Sequence, residues 1–351
     1  MKKTGYLLLS TTLVMGLLAG CSGETTENST SSNVSESQTA ESPTVANEKS
    51  GQKPQGDGSG GGGFGMDQLD TSNIETKYTD LSYADQSDTQ KLDIYLPNEG
   101  EGPFPVIVAI HGGGFMMGSK TGGDVSSMLK GVENGYAVVS VDYRLSEEAA
   151  FPAAISDVKA AIRYVKANAE KYNLDPENIV VWGDSAGGNL AALAGTSSND
   201  EYLNGDNEEN LEYSSEVQAV VDWFGPLEFL KMDEQFEAAG VTPKMGATSS
   251  DSSPESKYIG ENITENVEQT EKANPANYIS KDDPYFFIQH GTADQNVPTQ
   301  QSIDFAEKLK AVLGEEKVSL TLLEGAGHGG EQFDAEENVQ LVFEFLDSVL
   351  K

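Results

Sequence analysis

Apolar residues in this chain gather into short runs at a regular spacing. The runs at 104–110, 137–143, 179–182, 218–224, 285–289 and 318–323 are nearly continuous rather than alternating, which predicts strands buried on both faces, as in a parallel sheet. Two more runs, near 74–81 and 91–96, predict an antiparallel pair at the start of that sheet. Between the runs the period changes. Ile155, Val158, Ile162 and Val165 recur at helical spacing, as do Val339, Val342, Phe343, Leu346 and Leu350 near the C-terminus. Both sets predict helices with a single apolar stripe against a core. Strands alternating with helices imply an α/β fold, with a mostly parallel central sheet and helices on both faces. The pattern fills 66–351, a length that one domain of this class commonly reaches. The segment 228–277 has only weak periodicity and lies between two strands, where an insertion capping the sheet edge is expected.

Three turns in this framework carry chemistry. Gly183-Asp184-Ser185-Ala186-Gly187 follows the apolar run Ile179-Val180-Val181-Trp182 and precedes a small-residue helical stretch, so it reads as strand, sharp turn and helix. That context makes Ser185 the nucleophile of a nucleophile elbow. The pentapeptide alone is a weak signal, because glycine-rich turns of this kind arise by chance. His111-Gly112-Gly113-Gly114-Phe115 directly follows another strand-like run. Its consecutive glycines leave N–H groups bare, as an oxyanion hole requires. Gly113 and Gly114 are the expected donors from this loop, and Ala186 the donor after the serine.

The chain has three histidines. His111 opens the glycine loop and is expected to brace it, and His290 ends an apolar strand. His328 lies in the late loop Glu324-Gly325-Ala326-Gly327-His328-Gly329-Gly330, and it is the expected general base. Nucleophile-elbow enzymes place their acid between serine and histidine. Asp294, just past a strand end, is favoured there, and Asp222 remains its rival. Asp283 and Asp304 are assigned to other faces. Phe115, Met116, Met117, Trp223 and Phe224 are candidates for an acyl pocket, with the core as their alternative place.

These stretches resemble the α/β-hydrolase superfamily, and within it the esterases that pair H-G-G-G with G-D-S-A-G, the hormone-sensitive-lipase-like group. A closer resemblance is to the domain named for bifunctional feruloyl and acetyl-xylan esterases. It is carried by Val141-Asp142-Tyr143-Arg144-Leu145-Ser146, Phe151-Pro152-Ala153, Asp157 to Arg163, Asp175-Pro176-Glu177-Asn178-Ile179, Phe224-Gly225-Pro226, Ser253-Pro254-Glu255-Ser256 and His290-Gly291-Thr292-Ala293-Asp294. One departure is Asp283-Pro284-Tyr285, where that family usually has a double proline. The resemblance implies a serine esterase of small acyl groups, including those that decorate plant polysaccharides. Its triad would be Ser185, Asp294 and His328, with no metal or organic cofactor required.

The N-terminal region adds location. Lys2 and Lys3, an apolar run from Tyr6 to Leu18, and Leu18-Ala19-Gly20-Cys21 predict a signal peptide over 1–21, too short to span a membrane. The position of Cys21 resembles the lipobox of bacterial lipoproteins, which implies lipidation there and an extracytoplasmic protein held to the cell membrane through that anchor only. Residues 22–65 are rich in Ser, Thr, Asn, Glu and Gly and predict a disordered tether. Cys21 is the only cysteine, which excludes an intramolecular disulfide and a cysteine-based zinc site. The net charge is −35, and all but a few of those charges lie in 66–351. Such a field opposes nucleic-acid binding and favours neutral or cationic substrates. Two other readings stay open: a serine peptidase of the prolyl-oligopeptidase type, although the chain has no room for the propeller that gates those sites, and a non-catalytic surface binding protein on a hydrolase scaffold.

Overall fold

The computed structural model describes residues 68–350. The signal peptide, Cys21 and the tether expected over 22–65 lie outside the described residues. Eight strands, β1 (Lys77–Ser82), β2 (Lys91–Tyr95), β3 (Phe104–Ile110), β4 (Ala137–Val141), β5 (Leu174–Asp184), β6 (Ala219–Trp223), β7 (Tyr285–Gly291) and β8 (Val318–Leu323), form one sheet in the order β1-β2-β4-β3-β5-β6-β7-β8. β1 pairs antiparallel with β2 and β2 with β4, and every later pairing is parallel. This is the α/β-hydrolase fold.

Burial on both faces explains why the central runs do not alternate. In β3, Val106, Val108 and Ile110 enter one core cluster while Ile107 and Ala109 enter another, and all five are completely buried. The first cluster also receives Val158 and Ile162 from the helix Ala153–Ala167, Leu190 from Ala186–Thr196, and Leu309 from Gln300–Leu313. The second receives Met128 and, from Glu336–Leu350, Val339, Val342, Phe343 and Leu346. Helices therefore cover both sides of the sheet, and each large apolar side chain buried this way contributes about 1.5–3 kcal/mol.

One predicted boundary differs. Asp175-Pro176 reads as a turn before a strand at 179–182, but β5 begins at Leu174. Leu174 pairs with Phe104 and Ile179 with Val106, so four residues of β5 face a single residue of β3. A bulge absorbs the turn without ending the strand.

The strand order sets the position of the site. From β3 the chain moves outward to β4 and then returns to β5 on the other side of β3. The carboxyl ends of β3 and β5 are thus neighbours, with Ile110 paired to Gly183. Ligand sites in open α/β sheets gather at such reversals. The loops His111–Phe115 and Asp184–Gly187 leave the sheet side by side.

The segment 228–277 forms three short α-helices, Met232–Ala239, Pro254–Ile259 and Val267–Lys272, with 3-10 turns at Phe229–Lys231 and Pro275–Asn277. Each α-helix is only six to eight residues long and buries one to four side chains, too few to leave a clear period in the sequence. Phe229, Met232, Phe236, Tyr258 and Ile263 nonetheless join the first core cluster, which fixes this segment to the domain.

Candidate active site

Ser185 occupies a conformation that few residues with a side chain adopt, φ 51° and ψ −117°. Its N–H donates to the Trp223 carbonyl at 2.8 Å, which ties the turn to β6. The two framing glycines are required by contact. A Cβ on Gly183 would lie 2.0 Å from the Gly187 carbonyl oxygen, and one on Gly187 would lie 2.1 Å from that of Ile110. Strand β5, the following helix and β3 approach each other too closely for any other residue at these positions, and the serine is forced outward.

The late loop brings His328 to this serine. His328 Nε2 lies 2.8 Å from Ser185 Oγ, and its Nδ1 lies 2.7 Å from Asp294 Oδ2. The other carboxylate oxygen of Asp294 accepts the N–H groups of Asn296 at 2.7 Å and Val297 at 3.0 Å. Phe224 packs against the His328 ring with centroids 4.7 Å apart, restricting the imidazole from the side. Burial would raise the Asp294 carboxyl, but the charge of His328 and hydrogen bonds from His290 and His328 outweigh it and hold the group well below the usual carboxylate range. The acid therefore stays ionised, as an orienting partner must.

His290 is the neighbour that sequence reasoning missed. Its Nε2 is 3.2 Å from Asp294 Oδ2 and 3.1 Å from the Val297 carbonyl, and its Nδ1 is 2.7 Å from Ser302 Oγ. A carbonyl only accepts, so Nε2 carries the hydrogen and shares it with the carboxylate. Asp294 Oδ2 thus faces two imidazoles. The available signal was the four-residue spacing from His290 to Asp294 in a tight loop after a buried strand.

Asp222, the rival acid, is elsewhere in use. It is fully buried and accepts the Gly225 N–H at 3.0 Å, bracing the turn after β6, and no hydrogen bond links it to His328. Burial pushes its carboxyl up to about 6. His111 is also buried. It stacks on Tyr143 at 4.3 Å, and the Tyr143 hydroxyl donates to the His111 and Gly112 carbonyls at 3.0 and 3.2 Å, so this histidine holds the glycine loop in place. Asp283 binds Ser280, and Asp304 accepts from Gln235 and Gln300, both away from Ser185.

Gly113, at φ +99°, is packed so tightly that a Cβ would meet the Met117 carbonyl oxygen at 2.1 Å. Among the described residues, the N–H groups of Gly113, Gly114 and Ala186 have no protein acceptor. Gly113, Gly114, Ala186, Ser185 and His328 all line one cleft. Of the acyl-pocket candidates, Phe115, Met116 and Met117 line it as well. Trp223 and Phe224 do not. Trp223 packs on Trp182, and Phe224 on His328 and Phe333. The far wall comes from the capping segment through Met245, Thr248, Pro254 and Glu255; Pro254 and Glu255 belong to a stretch that carries the family resemblance, but nothing in the sequence placed any of the four at the cleft. The cleft encloses about 630 Å³, counting its open mouth. Among the described residues no group of three or more His, Cys, Asp or Glu is arranged to hold a metal ion.

The chain is similar in sequence and fold to known esterases. The chain is 33% identical over 211 residues to a probable carboxylic ester hydrolase, LipM, of Mycobacterium tuberculosis, covering 60% of this chain and 46% of that one. It spans about half the length of the curated relatives it matches. Among solved structures, a truncated carbohydrate esterase from gut microbiota superposes with a TM-score of 0.71 at 32% identity, covering 80% of this chain and 99% of that one. A bifunctional GH43-CE protein of Bacteroides eggerthii gives 0.70 at 35% identity, covering 78% of this chain and 35% of that one. The family model matched is BD-FAE, over residues 92–309. That match takes in β2 through most of the helix Gln300–Leu313, including the glycine loop, the serine turn and Asp294, and the chain accordingly belongs to the BD-FAE family.

Proposed function

We propose that this protein is a serine carboxylic-ester hydrolase acting on short acyl esters, carbohydrate esters among them. The observation that carries the proposal is the unbroken line from Asp294 through His328 to Ser185 Oγ, with contacts of 2.7 and 2.8 Å, facing three backbone N–H groups without acceptors. In this reading His328 Nε2 takes the hydroxyl proton as Ser185 Oγ attacks the ester carbonyl. Asp294 holds the imidazole in register and balances its positive charge. The N–H groups of Gly113, Gly114 and Ala186 receive the oxyanion in a site that needs no reorganisation. The intermediate collapses, His328 protonates the departing alcohol, and an acyl-serine remains. A water molecule, deprotonated by the same histidine, repeats the sequence and releases the acid.

The cleft wall supports a preference for short acyl groups. Met116, Met117 and Met245 supply apolar surface, but Thr248 and Glu255 interrupt it, so a long chain would find no continuous surface to bury. Each additional methylene contributes only where it leaves water, at about 0.8 kcal/mol. The kinship with carbohydrate esterases supports a sugar alcohol as the leaving group. The test is a panel of p-nitrophenyl esters from acetate to palmitate, with acetylated xylan and methyl ferulate. Acetate to butyrate should be fastest, Ser185→Ala should lower kcat by about 10⁴-fold or more, and kcat/KM should fall steeply beyond six to eight carbons. Rapid turnover of palmitate below its aggregation concentration, or near-normal turnover by the folded alanine variant, would overturn the proposal.

A further inference from the structure

The cleft contains a carboxyl group that the ester chemistry above does not use. Glu255 is in the first turn of the helix Pro254–Ile259. An acid there ordinarily stands in water, where it favours the helix N-terminus. Glu255 is instead only 7% exposed, and it forms part of the cleft wall with Ser185, His328, Met245 and Thr248. Its own backbone N–H and the Ser253 hydroxyl favour its ionised form only weakly against burial, and Ser253 Oγ also accepts the Ser256 N–H at 3.0 Å. No cationic side chain other than His328, when protonated, lines the cleft among the described residues. A buried carboxyl without a cation is costly unless hydrogen-bond donors reach it.

The helix is held firmly against the oxyanion loop. The Tyr258 ring stacks on Phe115 with centroids 3.9 Å apart and planes within 4°, and the Tyr258 carbonyl accepts the Phe151 N–H at 2.7 Å. Glu255 is therefore fixed relative to Ser185 and is not on a loose lid. We propose that Glu255 is a specificity-determining residue whose carboxylate accepts a hydrogen bond from a hydroxyl group on the ester substrate. The proposal rests on the ester-hydrolase reading of the same cleft. It selects substrates by a polar contact, because a substrate hydroxyl adds a donor to a carboxylate that has no cation beside it, and an ester lacking one shields the group from water without replacing that donor.

Burial, reinforced by the like charge of Asp233 on the helix Met232–Ala239, pushes the Glu255 carboxyl up to about 7. Asp233 stays ionised, since hydrogen bonds from Ser249 and Thr248 hold it below its ordinary value against its own burial. His328 is the other titratable group facing the cleft. Its protonation affects all esters alike and cancels in a ratio of two substrates measured at one pH. Selectivity for hydroxylated esters should therefore rise as Glu255 ionises through about pH 7.

The experiment measures kcat/KM from pH 5.5 to 8.5 for ethyl acetate, which has no hydroxyl, glycerol monoacetate, with hydroxyls on the alcohol, and ethyl glycolate, with one on the acyl group. In the wild type the ratio to ethyl acetate should rise through about pH 7 for one of the two hydroxylated esters, and the one that responds shows which side of the substrate meets Glu255. Glu255→Gln should flatten this pH dependence, and Glu255→Leu should cut the ratio about ten- to hundredfold at pH 8, the span of one hydrogen bond to a charged group. A carboxylate serving only the helix N-terminus would change stability and leave both ratios as they were. Ratios that are flat with pH in the wild type and equal in the variants would overturn the assignment, and the wild-type profile decides it even where Glu255→Leu fails to fold. Loss of turnover on all three esters would instead overturn the ester-hydrolase reading, and this assignment with it.

Discussion

Replacing Ser185 with glycine should make the protein more stable than replacing it with alanine, and the size of the difference follows from one pair of dihedrals. Both changes delete the hydroxyl and its bond to His328, and both keep the N–H that donates to Trp223. They differ only in the Cβ. At φ 51° and ψ −117° the ψ angle lies far from the small left-handed region open to residues with side chains. The strain is placed at the upper part of the usual range, about 2–3 kcal/mol. Glycine removes it but also enlarges the unfolded ensemble, which returns about 0.5–1 kcal/mol. The net advantage of Ser185→Gly over Ser185→Ala is about 1–2.5 kcal/mol. With an unfolding entropy of about 2.1 cal/mol/K per residue over the folded domain, this corresponds to a Tm higher by about 2–4 °C. Scanning calorimetry of the two inactive variants at pH 7 measures it directly. A glycine variant melting at or below the alanine variant would show that the serine turn is unstrained and that the glycines framing it, not the serine, carry the whole geometric demand.

Other changes address the acid, the turn and the anchor. Asp294→Asn should reduce kcat by about 10³- to 10⁴-fold, through loss of the charge that orients His328, whereas Asp222→Asn should change it little; the reverse ranking moves the acid to Asp222. The folded Asp222 carboxyl, at about 6, lies above its unfolded value, so its contribution is fully present below about pH 4 and is lost as pH rises through 6. Asp222→Asn removes that titration, and its stability relative to wild type should improve by roughly 1.5 kcal/mol between pH 5 and pH 8 in urea melts; a pH-independent difference would show that this carboxyl does not titrate in the window. Gly187→Ala should abolish activity and lower soluble yield, because its Cβ meets the Ile110 carbonyl oxygen at 2.1 Å; a stable, active alanine variant would contradict that packing. We propose lipid anchoring through Cys21, so wild-type protein should partition with membranes and Cys21→Ser should accumulate as precursor or be released; recovery of the wild type wholly in the soluble fraction with a free thiol would refute it.

The parts of the molecule that could be read from the sequence are those where one local rule decides the outcome. Strands β3, β6 and β7 lie within a few residues of the apolar runs that predicted them, because burial on both faces keeps those runs nearly continuous, whereas β8, expected to be buried in the same way, is the sheet's edge strand, with Leu322 exposed and Ser319, Leu320 and Thr321 only half-buried. Ser185 and the Gly113-Gly114 loop were legible because close approaches leave no room for a Cβ at Gly183, Gly187 and Gly113, and His328 because Gly325 and Gly330 beside it take positive φ angles that favour glycine. The extension of β5 back to Leu174 was not legible. Asp175-Pro176 is a turn by local chemistry, and only the pairing of Leu174 with Phe104 turns it into a bulge.

The cleft wall was the least legible part, and for a different reason. Met245 and Thr248 lie in a segment whose helices are too short to impose a period, and although Ser253-Pro254-Glu255-Ser256 carries the family resemblance, nothing in its local pattern points Glu255 at the cleft. What places them is a few aromatic contacts formed across long sequence separations, above all Phe115 of the oxyanion loop on Tyr258. Those contacts couple the two tasks of the site. In the proposed mechanism the loop that offers N–H groups to the oxyanion also packs, through Phe115, on the helix that carries Glu255, so a change at Phe115 or Tyr258 should disturb substrate choice and rate together. A change at Glu255 itself leaves the oxyanion donors in place, and its effect should fall on which ester is chosen before it falls on how fast the acyl group moves.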